Sequence, residues 1–399
     1  MSIKIPFLKD NHNHLFTYSS IFEKQIDLFN YSNKNNIKKL LQNLSSNSIN
    51  IATGWLDNYY TFSKEELNSF PPLILIHNSL HKFDFNNSAE KHIVERFPEF
   101  VKNKNSQQWI EKNLMKILSF IASLNKFDEN SFKNILASLS KNGVSYAADM
   151  FVDNIEIFNF LEKTEYKKFT EIWTEVDFYE KLNTNHKNIC EGIKIFMDGA
   201  LGAKSAAISE AKSEWNPILI YSDAEIHNKI EKILMLKKAI AIHCIGDIAI
   251  QQIINCLIDL KQSISDTKIR LEHVQFITKE QAFSAKDLGL ILSMQPNFNM
   301  DSIIYQDRLT KKYCENNNPF RMLINDAGFI PGKDLIFGSD GMPSGVHNAI
   351  QTSLFPPIEN QKITLEEFVE AYCIENYEKY IEVEISNNKK KTKCKIVEK

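Results

Sequence analysis

Six residues with side chains that can bind a metal ion lie at or near the ends of short apolar segments along the chain. In chain order they are His12, His14, Lys194, His243, His273 and Asp340. Imidazole nitrogens and carboxylate oxygens are ligands of Zn2+, and Mn2+ or Fe2+ are alternatives for the same donors. The order of these residues predicts a site for one or two divalent metal ions, with Zn2+ as the metal that best suits the donors.

The first two histidines form a His-x-His motif. Side chains alternate faces along a strand, so His12 and His14 project to the same side and can bind one ion. Asp10 lies on that side too, and its carboxylate could orient an imidazole. Because a lone His-x-His motif is common by chance, this pair needs support from the rest of the chain.

Three later residues supply that support. His243 and His273 each end an apolar segment, and Asp340 directly follows one. Catalytic groups of (β/α)8 enzymes lie at the carboxyl ends of the barrel strands, where these residues would be placed. Taken alone, each of them is equally well explained as a hydrogen-bonded polar residue of the core, with no metal bound. Metal-binding groups at four strand ends together favour a metal site.

Lys194 lies inside the apolar segment Ile193–Met197. An ammonium group that faces the core of a barrel is costly. Three explanations fit the sequence: the side chain faces outward, it pairs with an acid, for which Asp198 on the same strand face is a candidate, or it is chemically altered. A lysine carboxylated by CO2 is an anionic oxygen donor that can bridge two cations, and burial lowers the amine pKa on which this reaction depends.

Segments with strand patterns alternate with helical periodicity, which predicts an α/β fold with a parallel sheet. We interpret it as a (β/α)8 TIM-type barrel, with a doubly wound open sheet as the alternative. Three capping boxes support the helices: Ser222 with Glu225, Thr278 with Gln281, and Thr364 with Glu367. The eight predicted strands are 8–14, 144–149, 169–176, 192–197, 239–243, 268–273, 290–294 and 334–338.

The predicted barrel covers residues 1–380 and has a long insertion, about 17–140, after its first strand. The insertion is far longer than ordinary connections between a strand and a helix. It contains strand-like segments at 51–55 and 73–77 and an amphipathic helix through Trp109–Leu124. Residues 381–399 are predicted to be a short basic tail, because Asn387–Lys393 is rich in lysine.

Composition restricts the class of protein. A formal net charge of -3, from 47 basic and 50 acidic residues, gives no overall field that favours nucleic acid. The six cysteines are scattered without CxxC spacing, so we expect free thiols. The chain shows no signal-peptide pattern and no membrane-spanning segment, which predicts a cytoplasmic protein without a membrane partner. We also expect a small-molecule substrate, no nucleic-acid partner and a possible homodimer.

Several segments resemble the amidohydrolase superfamily, in particular the branch of the N-substituted formamide deformylases. The similar segments are Asp10–His14, Gly192–Lys204, His243–Asp247, Arg270–Gln275, Ser293–Pro296, Phe337–Asp340 and Leu365–Tyr372. The resemblance implies a metal-dependent hydrolase of carbon–nitrogen bonds other than peptide bonds, with all six residues above as ligands and Lys194 carboxylated. His81 lies in a segment similar to the substrate-facing segment of the branch. His81, Asp198 and Gln295 are therefore candidates for substrate binding.

The chain also departs from these relatives. Most of them have a small β-sandwich built from both chain ends, and only about nine residues precede the first histidine strand here. We therefore expect this sandwich to be absent or vestigial. The loops after Gln295 and Asp340 differ from the usual residues of the branch, and such loops influence substrate choice.

The predicted reaction is attack of metal-activated hydroxide on an amide, cyclic amide or formamide carbon. Asp340 would act as the proton shuttle and His273 as a second catalytic group. A one-metal deaminase of the same superfamily is an alternative, with His273 as acid or base. A catalytically idle relative that binds a small molecule is another. Retention of all six ligand types argues against the idle protein.

Overall fold

The computed structural model describes residues 2–17, 19, 25–28, 31–125, 127–212, 214–375 and 378–398. Within these residues the strands are β1 (Ser2–Ile5), β2 (Phe7–Asn13), β3 (Ile26–Asp27), β4 (Asn50–Trp55), β5 (Leu73–His77), β6 (Phe83–Phe85), β7 (Val144–Asp149), β8 (Thr170–Thr174), β9 (Cys190–Phe196), β10 (Ala239–Cys244), β11 (Ile269–His273), β12 (Ile291–Met294), β13 (Leu335–Phe337), β14 (Cys373–Ile374), β15 (Lys379–Ser386) and β16 (Lys391–Glu398).

The α-helices of the described residues connect these strands. They are α1 (Leu15–Thr17), α2 (Lys34–Gln42), α3 (Lys64–Asn68), α4 (Asn87–Val94), α5 (Pro98–Asn103), α6 (Gln107–Ala122), α7 (Glu129–Lys141), α8 (Ile155–Lys163), α9 (Val176–Lys181), α10 (Thr184–Ile189), α11 (Asp223–Leu234), α12 (Asp247–Asp259), α13 (Lys279–Asp287), α14 (Asp301–Ile304), α15 (Lys311–Asn316), α16 (Phe320–Asn325), α17 (Val346–Leu354) and α18 (Leu365–Tyr372).

The largest sheet is a nine-stranded, curled and mostly parallel sheet. Its strand order is β13-β12-β11-β10-β9-β8-β7-β2-β14, and β14 alone pairs antiparallel to its neighbour. The eight parallel strands are those predicted from the sequence, with ends within two residues of the predicted ones. The backbone N–H groups of Ser339 and Asp340 donate to the carbonyl of His12, at 3.2 and 2.7 Å. These bonds bring the end of β13 against β2, so the α/β prediction is confirmed and the sheet curls as in TIM-like barrels.

The chain divides into two compact units. The first contains Met1–Phe16, Phe132–Asp198 and Ala206–Lys399, and with them the curled sheet. The second contains Thr17–Ser131 and Gly199–Ser205. It has a four-stranded sheet of order β3-β4-β5-β6 and a hydrophobic core of its own that includes Leu41, Trp55 and Leu75. Both strand-like segments and the amphipathic helix predicted for this region are present as β4, β5 and α6.

The predicted basic tail is wrong, because the chain forms β-structure there. Strand β15 pairs antiparallel with β1 on one side and with β16 on the other. Ile381 and Val383 are fully buried on one face of this sheet. The lysines of β16 alternate with less exposed residues, so their charges lie on the outer face of a strand. A three-stranded antiparallel sheet from both chain ends therefore occupies the sequence where a vestigial sandwich was expected.

Two further expectations concern cysteine and the membrane. All six cysteines are free thiols, as their spacing predicts. No helix of the described residues has the length and apolar character needed to cross a bilayer.

Candidate metal centre

The strand ends bring three of the predicted ligands together. Candidate ligand atoms of His12, His14 and Asp340 all lie within 4.8 Å of one another. Oδ1 of Asp340 is 3.0 Å from Nε2 of His14 and 3.5 Å from Nε2 of His12. His12 lies in β2, His14 directly follows that strand, and Asp340 follows β13. Two nitrogens and a carboxylate at this separation can hold one divalent cation.

The other two histidines adjoin this cluster. The ring centroids of His12 and His273 are 4.7 Å apart, and those of His273 and His243 are 4.6 Å apart. His243 lies near the end of β10 and His273 ends β11. The four imidazoles therefore form one continuous group at the carboxyl ends of parallel strands, as the sequence predicts.

The backbone at two of these residues is strained. His273 has φ 71° and Asp340 has φ 57°, and Val274 beside His273 has φ 39°. Residues other than glycine rarely adopt this left-handed region, and β-branched residues such as valine are especially rare there. Strain of this kind costs on the order of 1–3 kcal/mol per residue and is concentrated at functional sites.

Lys194 is buried inside the sheet on β9, with 1% of its surface exposed. Its Nζ has no hydrogen-bond partner among the described residues and lies 5.1 Å from the centroid of the Phe196 ring. Burial lowers its pKa to about 8, although the charges of Glu272 and Asp340 oppose that shift. An outward-facing side chain is thereby excluded.

Pairing of Lys194 with Asp198 is also not what the structure shows. The Asp198 carboxylate accepts hydrogen bonds from the backbone N–H groups of Ala207, Ile245 and Gly246, at 2.8–2.9 Å. Its Oδ1 lies 3.4 Å from Nε2 of His243. Asp198 therefore anchors the backbone beyond β9 and β10. For Lys194, chemical alteration and pairing with another acid stay open, since the charges of Glu272 and Asp340 act on its amine.

Two imidazoles are oriented through their Nδ1 atoms. Nδ1 of His12 lies 2.6 Å from Oε2 of Glu272, and Nδ1 of His273 lies 2.7 Å from Oε1 of Gln295. A carboxylate and an amide oxygen can only accept, so both rings carry their proton on Nδ1. Their Nε2 atoms consequently have a free lone pair for a metal or for a proton.

The sequence did not reveal Glu272 as the partner of the His12 ring. Asp10 was expected to orient an imidazole, and this expectation is wrong. The carboxylate of Asp10 accepts instead from the backbone N–H groups of His12 and Ser339, at 3.3 and 2.8 Å. The available signal was the presence of Arg270 and Glu272 on alternate positions of an otherwise apolar, fully buried strand.

Burial sets the protonation states of the site. It lowers the pKa of His12 well below the ordinary range, with the nearby Lys194 adding to the effect, and it does the same for His273 beside His243. Burial would raise the pKa of Asp340, but His12, His14 and Lys194 outweigh it and hold that pKa below its usual value. Neutral imidazoles and an ionised carboxylate are the forms that bind metal ions.

The predicted substrate residues occupy different places. Gln295, fully buried, follows β12 and bonds to His273 as described above. His81 belongs to the second unit, where its Nδ1 lies 2.6 Å from Oε2 of Glu111. Glu111 accepts there from Ser205 and Gln107 as well. Substrate contact by His81, Asp198 and Gln295 stays a prediction.

Comparison with known proteins identifies the family of the chain. The model of the amidohydrolase family matches residues 127–353, more than half of the chain, so the chain belongs to that family. Amidohydrolase YtcJ of Bacillus subtilis (strain 168) is 28% identical over 137 residues. That match spans 33% of this chain and about a quarter, 26%, of YtcJ.

Solved structures show the same fold. An uncharacterized metal-dependent hydrolase from Pyrococcus horikoshii OT3 is similar with a TM-score of 0.62 at 19% identity, over 89% of this chain and 75% of that one. Another from Pyrococcus furiosus has a TM-score of 0.63 at 18% identity, over 92% and 80% of the two chains.

Proposed function

We propose that this chain is a metal-dependent hydrolase that cleaves a non-peptide carbon–nitrogen bond of a small molecule. The convergence of His12, His14 and Asp340 at the carboxyl ends of parallel strands carries the proposal. We also infer that the curled sheet is a closed (β/α)8 barrel with residues of about 17–140 as an insertion, since active sites of such barrels lie at that end.

The donor set supports a bound cation. His12 carries its proton on Nδ1, so the lone pair of Nε2 faces the ionised Asp340 carboxylate across 3.5 Å. Two electron-rich atoms that face each other are stable only when a proton or a cation lies between them. Imidazole nitrogens with one carboxylate suit Zn2+, and the chemistry of the set also allows Mn2+ or Fe2+.

A bound divalent cation would supply Lewis acidity and lower the pKa of water towards neutrality. Asp340, ionised and next to His12 and His14, would take the proton of the attacking water. The same carboxylate would then deliver that proton to the leaving nitrogen, so that hydrolysis yields an acid and an amine. His273, neutral and held through Nδ1, presents Nε2 as a ligand or as an acid–base group.

Lys194 is proposed to be carboxylated. Its Nζ lies inside the sheet without a hydrogen-bond partner among the described residues, and a carbamate oxygen would add an anionic donor there. An amine with a pKa of about 8 is unprotonated often enough to react with CO2. In the proposed enzyme Lys194, His243 and His273 then complete a second metal position.

A one-metal deaminase is the second candidate. It is favoured by one observation: among the described histidine, cysteine and acidic residues, the only group close enough to share an ion is His12, His14 and Asp340. Elemental analysis separates the candidates. About two metal ions per chain support the hydrolase, and about one supports the deaminase.

Replacement of Asp340 tests the role of this carboxylate. Asp340→Asn should retain metal and lose about 10²–10⁴-fold in turnover, because the proton shuttle is removed. Activity would be measured with Zn2+ present on a panel of formamides, N-acyl amines and cyclic amides. Asp334→Asn is the matched control, since Asp334 adjoins the opposite end of β13 and pairs with Lys286. A fully active Asp340→Asn enzyme would contradict the proposed role.

A further inference from the structure

A buried ion pair lies directly behind His12. We propose that Glu272, held in place by Arg270, is a positioning residue that fixes the orientation and donor strength of His12. This inference rests on the proposed metal site, because the orientation matters only where Nε2 of His12 binds a cation.

Glu272 has no surface exposed to solvent. Its Oε2 is the atom 2.6 Å from Nδ1 of His12, and its Oε1 accepts from Nε of Arg270 at 2.8 Å. A second contact joins Oε2 to Nη2 of Arg270 at 3.2 Å. The carboxylate is therefore fixed on both oxygens, and it links β11 with β2 across the interior of the sheet.

Arg270 in turn is immobilised by several strands. Its Nη2 donates to the carbonyl of Asn11 at 2.6 Å and to Oγ of Ser293 at 3.0 Å. Its guanidinium lies 5.1 Å from the centroid of the Trp173 ring. A buried carboxylate is costly unless a charge and hydrogen bonds compensate it, and Arg270 provides both. The pair thus retains an anion at a place where water does not reach.

The acceptors of the two Nδ1–H groups differ in charge. Glu272, which accepts from His12, is a carboxylate, whereas Gln295, which accepts from His273, is a neutral amide. Each acceptor fixes the same tautomer, but an anionic one makes the opposite ring nitrogen a stronger donor. His12 is therefore the more basic metal ligand of the two, and His273 is the one better suited to exchange a proton or to release the metal.

The test compares two substitutions of carboxylates that contact the same arginine. Glu272→Gln removes the negative charge that faces Nδ1 of His12. Glu171→Gln is the matched control, because Oε1 of Glu171 lies 3.5 Å from Nη1 of Arg270 and accepts from Nε1 of Trp173. Zn2+ dissociation constants would be measured by competition with a chelator. We expect Glu272→Gln to bind Zn2+ about 10–100-fold more weakly, and Glu171→Gln to change affinity less than about 2-fold.

A second measurement does not need metal. Proton NMR of the metal-free protein should show a strongly downfield Nδ1–H resonance of His12, which moves upfield in Glu272→Gln and stays in Glu171→Gln. If wild-type protein binds none of Zn2+, Mn2+ and Fe2+, the proposed function is wrong, and this resonance alone decides whether Glu272 positions His12. An unshifted resonance in Glu272→Gln would overturn that role.

Folding must be controlled, because a buried ion pair is altered. Circular dichroism and urea unfolding would establish that each variant is folded. If Glu272→Gln does not fold, the double variant Arg270→Met, Glu272→Met replaces the pair with apolar side chains that such sites tolerate. This variant should also lose Zn2+ affinity by about 10-fold or more. Affinity equal to wild type in a folded variant would refute the inference.

Discussion

At the scale of single residues, His12 is fixed on its backbone as well as on its ring. Gly338, which follows β13, lies so close to β2 that a Cβ atom on it would be 2.4 Å from the backbone nitrogen of His12. Real Cβ atoms do not approach a backbone nitrogen so closely, so the two strands can meet only with glycine at this position. The position of His12 relative to Asp340 depends on that approach.

We predict that Gly338→Ala destabilises the protein and disturbs the metal site. The added methyl group must push β13 from β2, which should cost about 1–3 kcal/mol in the free energy of unfolding. It should also weaken Zn2+ binding at least about 10-fold, because metal sites tolerate only small displacements of their ligands. Urea unfolding and a Zn2+ titration would measure the two effects.

Gly328→Ala is the control for this substitution. An added Cβ there meets no atom within 4 Å, but the residue has φ +74°. Only the backbone preference opposes alanine, which should cost about 1 kcal/mol and leave Zn2+ affinity unchanged. If Gly338→Ala matches Gly328→Ala in both measurements, the close approach of the strands has no role in the site.

The sequence predicted that distant polar residues come together, but it did not predict the contacts that support them. His12, His14 and Asp340 were recognisable because metal ligands recur at strand ends, and the structure brings them together. The partner of the His12 ring was not recognisable, since Glu272 is 260 residues away in the chain. Asp10, two residues away, was the local choice, and it bonds to the backbone instead. Contacts between distant strands depend on register, which the sequence does not state.

At the scale of elements, helix ends were the best-predicted local feature. Each of the three predicted capping boxes is present, at the starts of α11, α13 and α18. At α18 the Thr364 side chain accepts from the backbone N–H of Glu367, whose carboxylate accepts in return from the N–H of Thr364. The signal is local because all bonded groups lie within four consecutive residues.

We predict that Thr364→Ala lowers the free energy of unfolding by about 1 kcal/mol, because the cap is lost at the start of α18. The buried face of that helix, with Phe368 and Tyr372, stays intact, so metal binding should not change. Thr364→Ser keeps a hydroxyl group and should remain close to wild type in thermal and urea unfolding. Equal stability of all three proteins would show that the cap contributes nothing.

One strand that the sequence did not reveal is β16, near the end of the chain. The eight parallel strands are apolar runs with clear ends, so each is visible within a few residues of sequence. Strand β16 is different, because lysines at alternate positions give it the composition of a solvated tail. Its partner β15 pairs in turn with β1 at the other end of the chain. A strand that is stable only through such distant pairing has little signal of its own.

At the scale of the whole molecule, buried acidic side chains couple the stability of the protein to pH. Several acids have raised pKa values because they are buried: about 6 for Asp10 and Asp149, and about 7 for Asp301. Each of these groups binds a proton more readily in the folded than in the unfolded chain. Together they make the stability of the fold depend on pH between about 4 and 7.

Asp301 allows the pH dependence of stability to be measured away from the proposed metal ligands. Its Oδ2 accepts from Nε2 of Gln275 at 3.0 Å, and burial raises its pKa from 3.8 to about 7. A group whose folded pKa is raised contributes stability that is complete at low pH and is lost as pH rises, here between about 4 and 7. Asp301→Asn keeps an acceptor for Gln275 but cannot ionise, so it removes this loss.

We therefore predict that Asp301→Asn becomes more stable relative to wild type as pH rises from 5 to 8, by on the order of 2 kcal/mol. Urea unfolding at several pH values would measure the difference. Asp259→Asn, at an exposed residue of α12, is the matched control for the loss of one carboxylate. A difference for Asp301→Asn that does not change with pH would mean that its carboxyl group ionises in the fold as easily as in water.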